Sequence, residues 1–397
     1  MLRLMDEQQL ALCLALRCIP GIGHRRLVSL IQDQGCSHPY AVAEQLLRLP
    51  RLGQAQRQSV RLALDHPQRH PLRADFEAQL TWAQQLQQTL LTYWDLPPHL
   101  QAIADAPWLL FVRGSVEALW QPSLALVGTR QPSAEGEQLA FSWSCALSQQ
   151  GLNIVSGLAR GVDAAAHRGA LLAQQQGAAS QTLAVLAHGL DQVYPAQHRE
   201  LAEQILAAEG ALVSEYNLGT PPLARHFPAR NRLITGLALG LVVIEAQQKS
   251  GSLVSARLAL EQGREVMAAP GALGNERSSG CHQLIRQGAT LVTEPAEILL
   301  QVAPALATIL NQPLTPQPSL ISPSRAVSDP MPDHHLLTSQ LHPEEAQVYA
   351  HLQAQPLSLE CLQQRVALPV GQLLMLLQSL ELQGLAESLH QGWRVKT

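Results

Sequence analysis

The residues best suited to chemistry lie where short apolar runs give way to loops. One stretch reads Arg225-His226-Phe227-Pro228-Ala229-Arg230-Asn231-Arg232, three arginines in eight positions around one of only four phenylalanines in the chain. No acidic residue occurs from Pro221 through Ile244. A basic cluster around a single ring suits a sugar-phosphate backbone with one base stacked on Phe227. The competing reading pairs Arg230 and Arg232 with carboxylates such as Glu215 or Glu245 and buries Phe227 in a core.

Three further segments have the character of anion cradles. Gly128-Thr129-Arg130 closes an apolar run, where a glycine admits a ligand to the backbone and the arginine reaches over it. Ser156-Gly157 is followed by Arg160-Gly161 and by Asp163, placed to cap a helix. Lys249-Ser250-Gly251-Ser252 opens another helix, and its small residues leave the first N–H groups open to a phosphate or carboxylate unless Ser250 simply caps them. Neither G-x-x-x-x-G-K-[ST] nor G-x-G-x-x-G occurs, which disfavours nucleotide hydrolysis by the P-loop route. His167, His188, His198 and His282 lack metal spacing, and no serine or cysteine has an identifiable base partner. No metal, cofactor or catalytic residue is therefore expected.

Those loops need a scaffold that gathers them. Seven short apolar runs alternate with helical patterns: Leu124 to Val127, Asn153 to Val155, Thr182 to Leu186, Ala211 to Ser214, Leu241 to Ile244, Glu265 to Ala268 and Ala289 to Val292. The alternation predicts an α/β fold with a parallel sheet whose right-handed crossovers bring every strand's carboxyl end to one edge. That edge is where ligands bind such sheets. We place this domain at 107–300. Residues 1–100 have helical periodicity, and Ile19-Pro20-Gly21-Ile22-Gly23 between two helices resembles a helix-hairpin-helix turn, though a plain capping turn in a structural bundle is the alternative. Residues 301–340 are proline-rich, from Pro304 through Pro332, and predict an extended linker. Residues 341–397 suggest three helices and a hairpin, a winged helix.

The 397 residues include 46% hydrophobic and 15% charged side chains, which argues for a folded chain of two or three domains. Lys+Arg 27 against Asp+Glu 31 gives a net charge of −4, so a polyanion must be met by a local patch. The six cysteines form no C-x-x-C pair and are expected reduced. No apolar run is long enough to span a membrane, and a cytoplasmic location is expected.

Taken in order, Val127-Gly128-Thr129-Arg130, Ser156-Gly157-Leu158-Ala159-Arg160-Gly161-Val162-Asp163, Tyr194-Pro195, Phe227-Pro228-Ala229-Arg230-Asn231-Arg232, Ser250-Gly251-Ser252 and Ala269-Pro270-Gly271 closely resemble the DprA/Smf family of bacterial DNA-processing proteins. Two positions depart from the family's usual asparagine, His198 and His282. The resemblance implies a Rossmann-like doubly wound, mostly parallel sheet, with an N-terminal helical domain of SAM or helix-hairpin-helix type and a C-terminal winged helix. It further implies a non-enzymatic homodimer that binds and protects single-stranded DNA in natural transformation and loads RecA recombinase, displacing single-strand-binding protein. The implied pocket comprises Gly128, Thr129, Arg130, Ser156, Gly157, Arg160, Arg225, Phe227, Arg230, Asn231, Arg232, Ser250, Gly251 and Ser252. The runner-up is a nucleotide-binding enzyme or sensor related to the phosphoribohydrolases, with Glu245 as its working carboxylate. The winged helix carries five acids against three bases and no Lys or Arg in Val370 to Leu382, so it reads as a protein-interaction module and not a duplex reader.

Overall fold

The computed structural model describes residues 7–66, 77–79, 81, 88–310, 348–352, 362, 365–366, 376, 386–389 and 392–395. The chain forms two compact units, Met1–Thr315 and Pro316–Thr397.

The first unit opens with α1 (Glu7–Cys18), α2 (His24–Gln34), α3 (Pro39–Arg48) and α4 (Gln54–Asp65). Apolar residues at helical spacing, among them Leu12, Leu16, Leu27, Val42, Leu46 and Val60, are buried where the four meet. The turn between α1 and α2 is tight. Gly21 sits at φ +78, and a Cβ there would lie 2.6 Å from the Gln56 amide nitrogen, which donates to Pro20 O at 2.8 Å. At the start of α2, exposed Arg25 pairs with Asp105 at 3.0 Å, and His24 Nε2 lies 3.5 Å from Arg232 Nη2. Trp108 Nε1 donates to Cys13 O at 2.9 Å, joining the helices to the sheet in one continuous core.

The sheet has nine strands in the order β1-β2-β6-β5-β4-β3-β7-β8-β9. All seven runs expected from the sequence form strands: β3 (Ser123–Gly128), β4 (Asn153–Ser156), β5 (Thr182–Val185), β6 (Ala211–Ser214), β7 (Gly240–Ile244), β8 (Glu265–Ala268) and β9 (Thr290–Leu291). Each is parallel to its neighbours within this set. Two strands were not expected. β1 (Thr89–Thr92) and β2 (Leu109–Gly114) pair antiparallel, and β2 extends the sheet antiparallel to β6. The reading of residues 1–100 as wholly helical is corrected accordingly: Leu90 and Leu91 are buried strand residues.

Helices α5 (Ala134–Gln149), α6 (Val162–Gln175), α7 (Arg199–Ala207), α8 (His226–Gly236), α9 (Gly251–Glu261), α10 (Ser279–Arg286) and α11 (Pro295–Leu310) cover the sheet. α11 is a second correction, because it carries Pro304 in its interior where an extended linker was expected. Ile298 and Val302 are fully buried in the core that also holds Val242 and Met267, and that packing outweighs the hydrogen bond the proline removes. The chain leaves β3 toward β4, β5 and β6, then returns to place β7 on β3's other side. The order therefore reverses between β3 and β7, which opens a crevice at their carboxyl ends.

In the second unit, β10 (Ala386–Leu389) and β11 (Gly392–Val395) form the expected hairpin, with Glu387 opposite Arg394 in register. The helices expected between Glu344 and Leu382 lie largely outside the described residues.

Candidate nucleic-acid interface

Glycine makes the crevice possible. At the end of β3 a Cβ on Gly128 would fall 1.9 Å from Ile244 O and 2.5 Å from the Val162 side chain, so only glycine lets β3, β7 and the start of α6 meet this closely. Gly161 sits at φ +77, and a Cβ there would lie 2.4 Å from Thr129 O. Between β4 and α6 the loop turns through Leu158 at φ 56 and is tied by the Asp163 carboxylate, which accepts from Gly157 N at 3.1 Å and Ala159 N at 3.3 Å. Asp163 was expected to cap α6, but the cap is Gly161, and the carboxylate shapes the preceding loop instead. His198 Nδ1 lies 2.8 Å from Leu158 O and braces the same loop from below, so this departure from the family pattern is a buried strut.

The crevice is a cavity of about 650 Å³. Nine of the expected site residues line it: Gly128, Thr129, Arg130, Phe227, Arg230, Asn231, Ser250, Gly251 and Ser252. At its centre is the Phe227 ring. The Arg130 guanidinium carbon lies 5.3 Å from the ring centroid and that of Arg230 5.9 Å, while Tyr194 meets the ring edge-on with centroids 5.9 Å apart. Arg130 is exposed, and Tyr194 is 47% exposed. Tyr194 is a lining residue outside the expected set; its Tyr-Pro motif was visible, but nothing in sequence spacing brings residue 194 to residue 227.

Arg230 forms the floor. Its Nη1 donates to Gly157 O at 3.1 Å and to Val185 O, and its Nε donates to the Asn231 side chain at 3.2 Å. Burial pushes its pKa down to about 10 against the pull of Asp163, with Arg130 adding to the depression, so it stays cationic at neutral pH. Gly157 does not line the cavity but makes room for this side chain: a Cβ there would lie 2.6 Å from Arg230 Nη2. Ser156 is likewise behind the surface, its hydroxyl donating to Leu126 O at 2.7 Å.

Arg232 is different. Two positions along α8 it faces away from the crevice, donating through Nη2 to Glu215 Oε2 at 2.6 Å and through Nη1 to Glu215 Oε1 at 2.8 Å, with Asp105 at 3.2 Å from Nε. Arg17 donates to Glu215 O from α1. The carboxylate pairing weighed for Arg230 and Arg232 is thus realised for Arg232 alone, and α8 presents one arginine to each side. Arg225, exposed at the N-cap of α8, is not among the lining residues, and Arg160 lines a neighbouring cavity.

At the opposite wall α9 starts at Gly251 with Ser250 as N-cap. The Ser250 hydroxyl makes no capping bond and is buried without a partner, leaving it and the first N–H groups of α9 to a ligand. Ser252 Oγ donates to Gly128 O at 2.9 Å and ties α9 to β3. Exposed Lys249 adds charge at the rim, and Asp163 is the one carboxylate among the lining residues. Glu245, at φ 50, spends both carboxylate oxygens on Ser133, accepting from N at 2.8 Å and from Oγ at 2.5 Å. It is not a lining residue, which opposes the reading of Glu245 as a catalytic carboxylate. Among the described residues no group of His, Cys, Asp or Glu could hold a metal ion. Another cavity of about 580 Å³, between α6 and α7, is lined by Leu171, Gln174, Gln175, Gln204, Ala207, Ala208 and Glu209 and offers an anion no cation.

Comparison with known proteins agrees with this architecture. The model of the DNA recombination-mediator protein A family matches residues 89–303, beginning at β1, and the DprA winged helix domain matches residues 332–392. The chain is 46% identical over 264 residues to Protein Smf of Escherichia coli (strain K12), covering 66% of this chain and 68% of that protein. It is 43% identical over 205 residues to the DNA processing protein DprA of Streptococcus pneumoniae (strain ATCC BAA-255 / R6), covering 52% of this chain and 70% of that one. The X-ray structure of DprA from Streptococcus pneumoniae superposes with a TM-score of 0.56 at 30% identity, covering 75% of this chain and 98% of that one. A family match over more than half the chain, its winged-helix companion and a relative so similar over two thirds of its length lead to one assignment: this chain belongs to the DprA/Smf family of DNA-processing proteins.

Proposed function

We propose that the crevice between β3 and β7 binds single-stranded DNA, seating one base against Phe227 and its flanking phosphates against Arg130, the α9 N-terminus and Lys249. The observation that carries this reading is the half-buried Phe227 ring with the Arg130 and Arg230 guanidinium groups within 5.3 and 5.9 Å of its centroid, in a cavity with a single carboxylate. A stacked base needs an open π-face and its phosphates need cations close by, and duplex DNA, with its bases already stacked, offers no base to such a ring. The α9 N-terminus supplies N–H groups without base preference, as a sequence-tolerant binder requires.

In this reading the protein is a non-catalytic mediator: it coats and protects incoming strands during natural transformation and loads RecA recombinase onto them, displacing single-strand-binding protein. It works in the cytoplasm as a homodimer. Supporting the dimer, the sheet ends at a two-residue edge strand, β9, where Leu291 is 47% exposed, and α11 leaves Leu300 73% exposed. Among the described residues no helix is long and apolar enough to cross a membrane.

The test couples binding to loading. RecA filament growth on a strand coated with single-strand-binding protein is followed with and without this protein. Acceleration by the wild type, lost in Arg130→Ala, is expected; equal acceleration by both would separate loading from the crevice and refute this assignment of the site.

A further inference from the structure

Beside the crevice lies a second cavity, of about 480 Å³, and Thr129, Arg130 and Gln247 line both. The two are therefore neighbours across the Arg130 loop. Two cations belong to the second cavity alone, Arg160 and Arg277. Arg160 is brought there by the Gly161 crossing, since Gly161 rests against the backbone of Thr129 and Arg130. Arg277 comes from the far side, in the turn that precedes α10. Its Nε donates to Gln131 O at 3.0 Å, which fixes the guanidinium against the loop that carries Arg130. The turn itself is held by the Asn275 side chain, which accepts from Arg277 N at 3.0 Å. No ion pair among the described residues claims Arg130, Arg160 or Arg277, although the exposed Glu276 lines the same cavity.

We infer that this bay is a second phosphate subsite, and that a bound strand leaves the Phe227 crevice over Arg130 and places a further phosphodiester between Arg160 and Arg277. The inference rests on the crevice binding single-stranded DNA. Three unpaired guanidinium groups around one carboxylate give a net positive bay, and a guanidinium already fixed through Nε loses little freedom when its Nη groups take a phosphate. The bay contains no aromatic lining residue, so it offers a phosphate contacts and a base no stacking surface. It is a subsite for backbone and adds length dependence without sequence preference.

The full-length protein is titrated with labelled oligothymidylates of three and of twelve nucleotides at several salt concentrations, as wild type, Arg277→Ala, Arg277→Lys and Arg130→Ala. The wild type is expected to gain affinity with length. Arg277→Ala should leave the trimer within about twofold while weakening the twelve-mer about fivefold and making its log–log salt slope shallower by about 0.7, the loss of one single-strand phosphate contact. Arg277→Lys should restore most of the slope, because it keeps the charge. A twelve-mer affinity unchanged by Arg277→Ala, or an equal loss for both lengths, overturns the subsite while leaving the crevice reading standing if Arg130→Ala weakens both probes. If Arg130→Ala leaves both probes unaffected, the crevice reading fails and the subsite with it.

Discussion

At the scale of residues, two neighbouring arginines on one helix do opposite work. Arg230 turns into the crevice and Arg232 into a buried cluster with Glu215, Asp105, His24 and the Arg17 guanidinium. Their types and spacing are identical in kind, so the sequence could not distinguish them; the partners that do, Glu215 on the β6 side and Asp105 before β2, are placed only by the fold. Arg232→Ala strands the Glu215 carboxylate, and the expected cost is about 3–5 kcal/mol of stability in urea unfolding, with Tm falling at every salt concentration. Burial alone would raise the Glu215 pKa, but Arg232 and the other cations outweigh it and hold the value below its ordinary 4.5. A depressed folded value contributes stability above pH 4.5 that is lost as pH falls through the folded value, so wild type should lose this increment on acidification and Arg232→Ala, where only the remaining cations oppose burial, should lose less. Comparing the pH dependence of unfolding for the two proteins checks the sign. Phe227→Ala should weaken single-strand binding by about 1–3 kcal/mol, read by anisotropy, while Phe227→Trp retains it. Equal binding by Phe227→Ala would remove the ring from the site.

Elements position these residues through close contacts that a methyl group would break. Gly157→Ala is expected to push Arg230 off the Gly157 and Val185 carbonyls, costing about 1–3 kcal/mol in stability and weakening single-strand binding at the same time. Unfolding and binding measured on one preparation test that coupling; a loss of stability with binding intact would show that the floor arginine is structural alone. All seven parallel strands were legible because each pairs a short apolar run with a following helix, a pattern that repeats down the chain. Before the next strand begins, β1 and β2 are followed by no helix longer than the four residues Pro98–Gln101. Thr89 to Thr92 offers only two apolar residues between threonines, and Leu109 to Val112 sits where one domain was expected to give way to another, so an antiparallel extension left no periodic trace. α11 misled in the other direction: proline density signalled a linker, yet Ile298 and Val302 pack into the sheet's core and carry the helix through Pro304. In the candidate site, the segments contributed by β3, α8 and α9 were readable as glycine-ended strands and small-residue helix starts. Tyr194 and Arg277 were not, because each joins the site from a loop whose approach depends on tertiary packing.

For the whole molecule, a net charge of −4 means that long-range attraction does not bring DNA to this protein, and binding must come from a concentrated patch. The switch between β3 and β7 concentrates it, gathering Arg130, Arg230, and Lys249 with the α9 N-terminus from three separate segments around one ring. A dimer would double that patch, and replacing the exposed Leu291 and Leu300 together with aspartate is expected to shift sedimentation to the monomer; an unchanged coefficient would move the interface elsewhere. The central claim is that this patch holds the phosphates of a single strand. It is tested most directly by anisotropy of a labelled single-stranded oligonucleotide and its duplex across 50 to 200 mM salt, with wild type and Arg130→Ala. For about three phosphates per protomer the log–log slope should lie near −2 for the single strand, with duplex binding weaker, and Arg130→Ala should make the slope shallower by about 0.7. A slope near zero, a preference for duplex, or an Arg130→Ala protein indistinguishable from wild type would contradict the account.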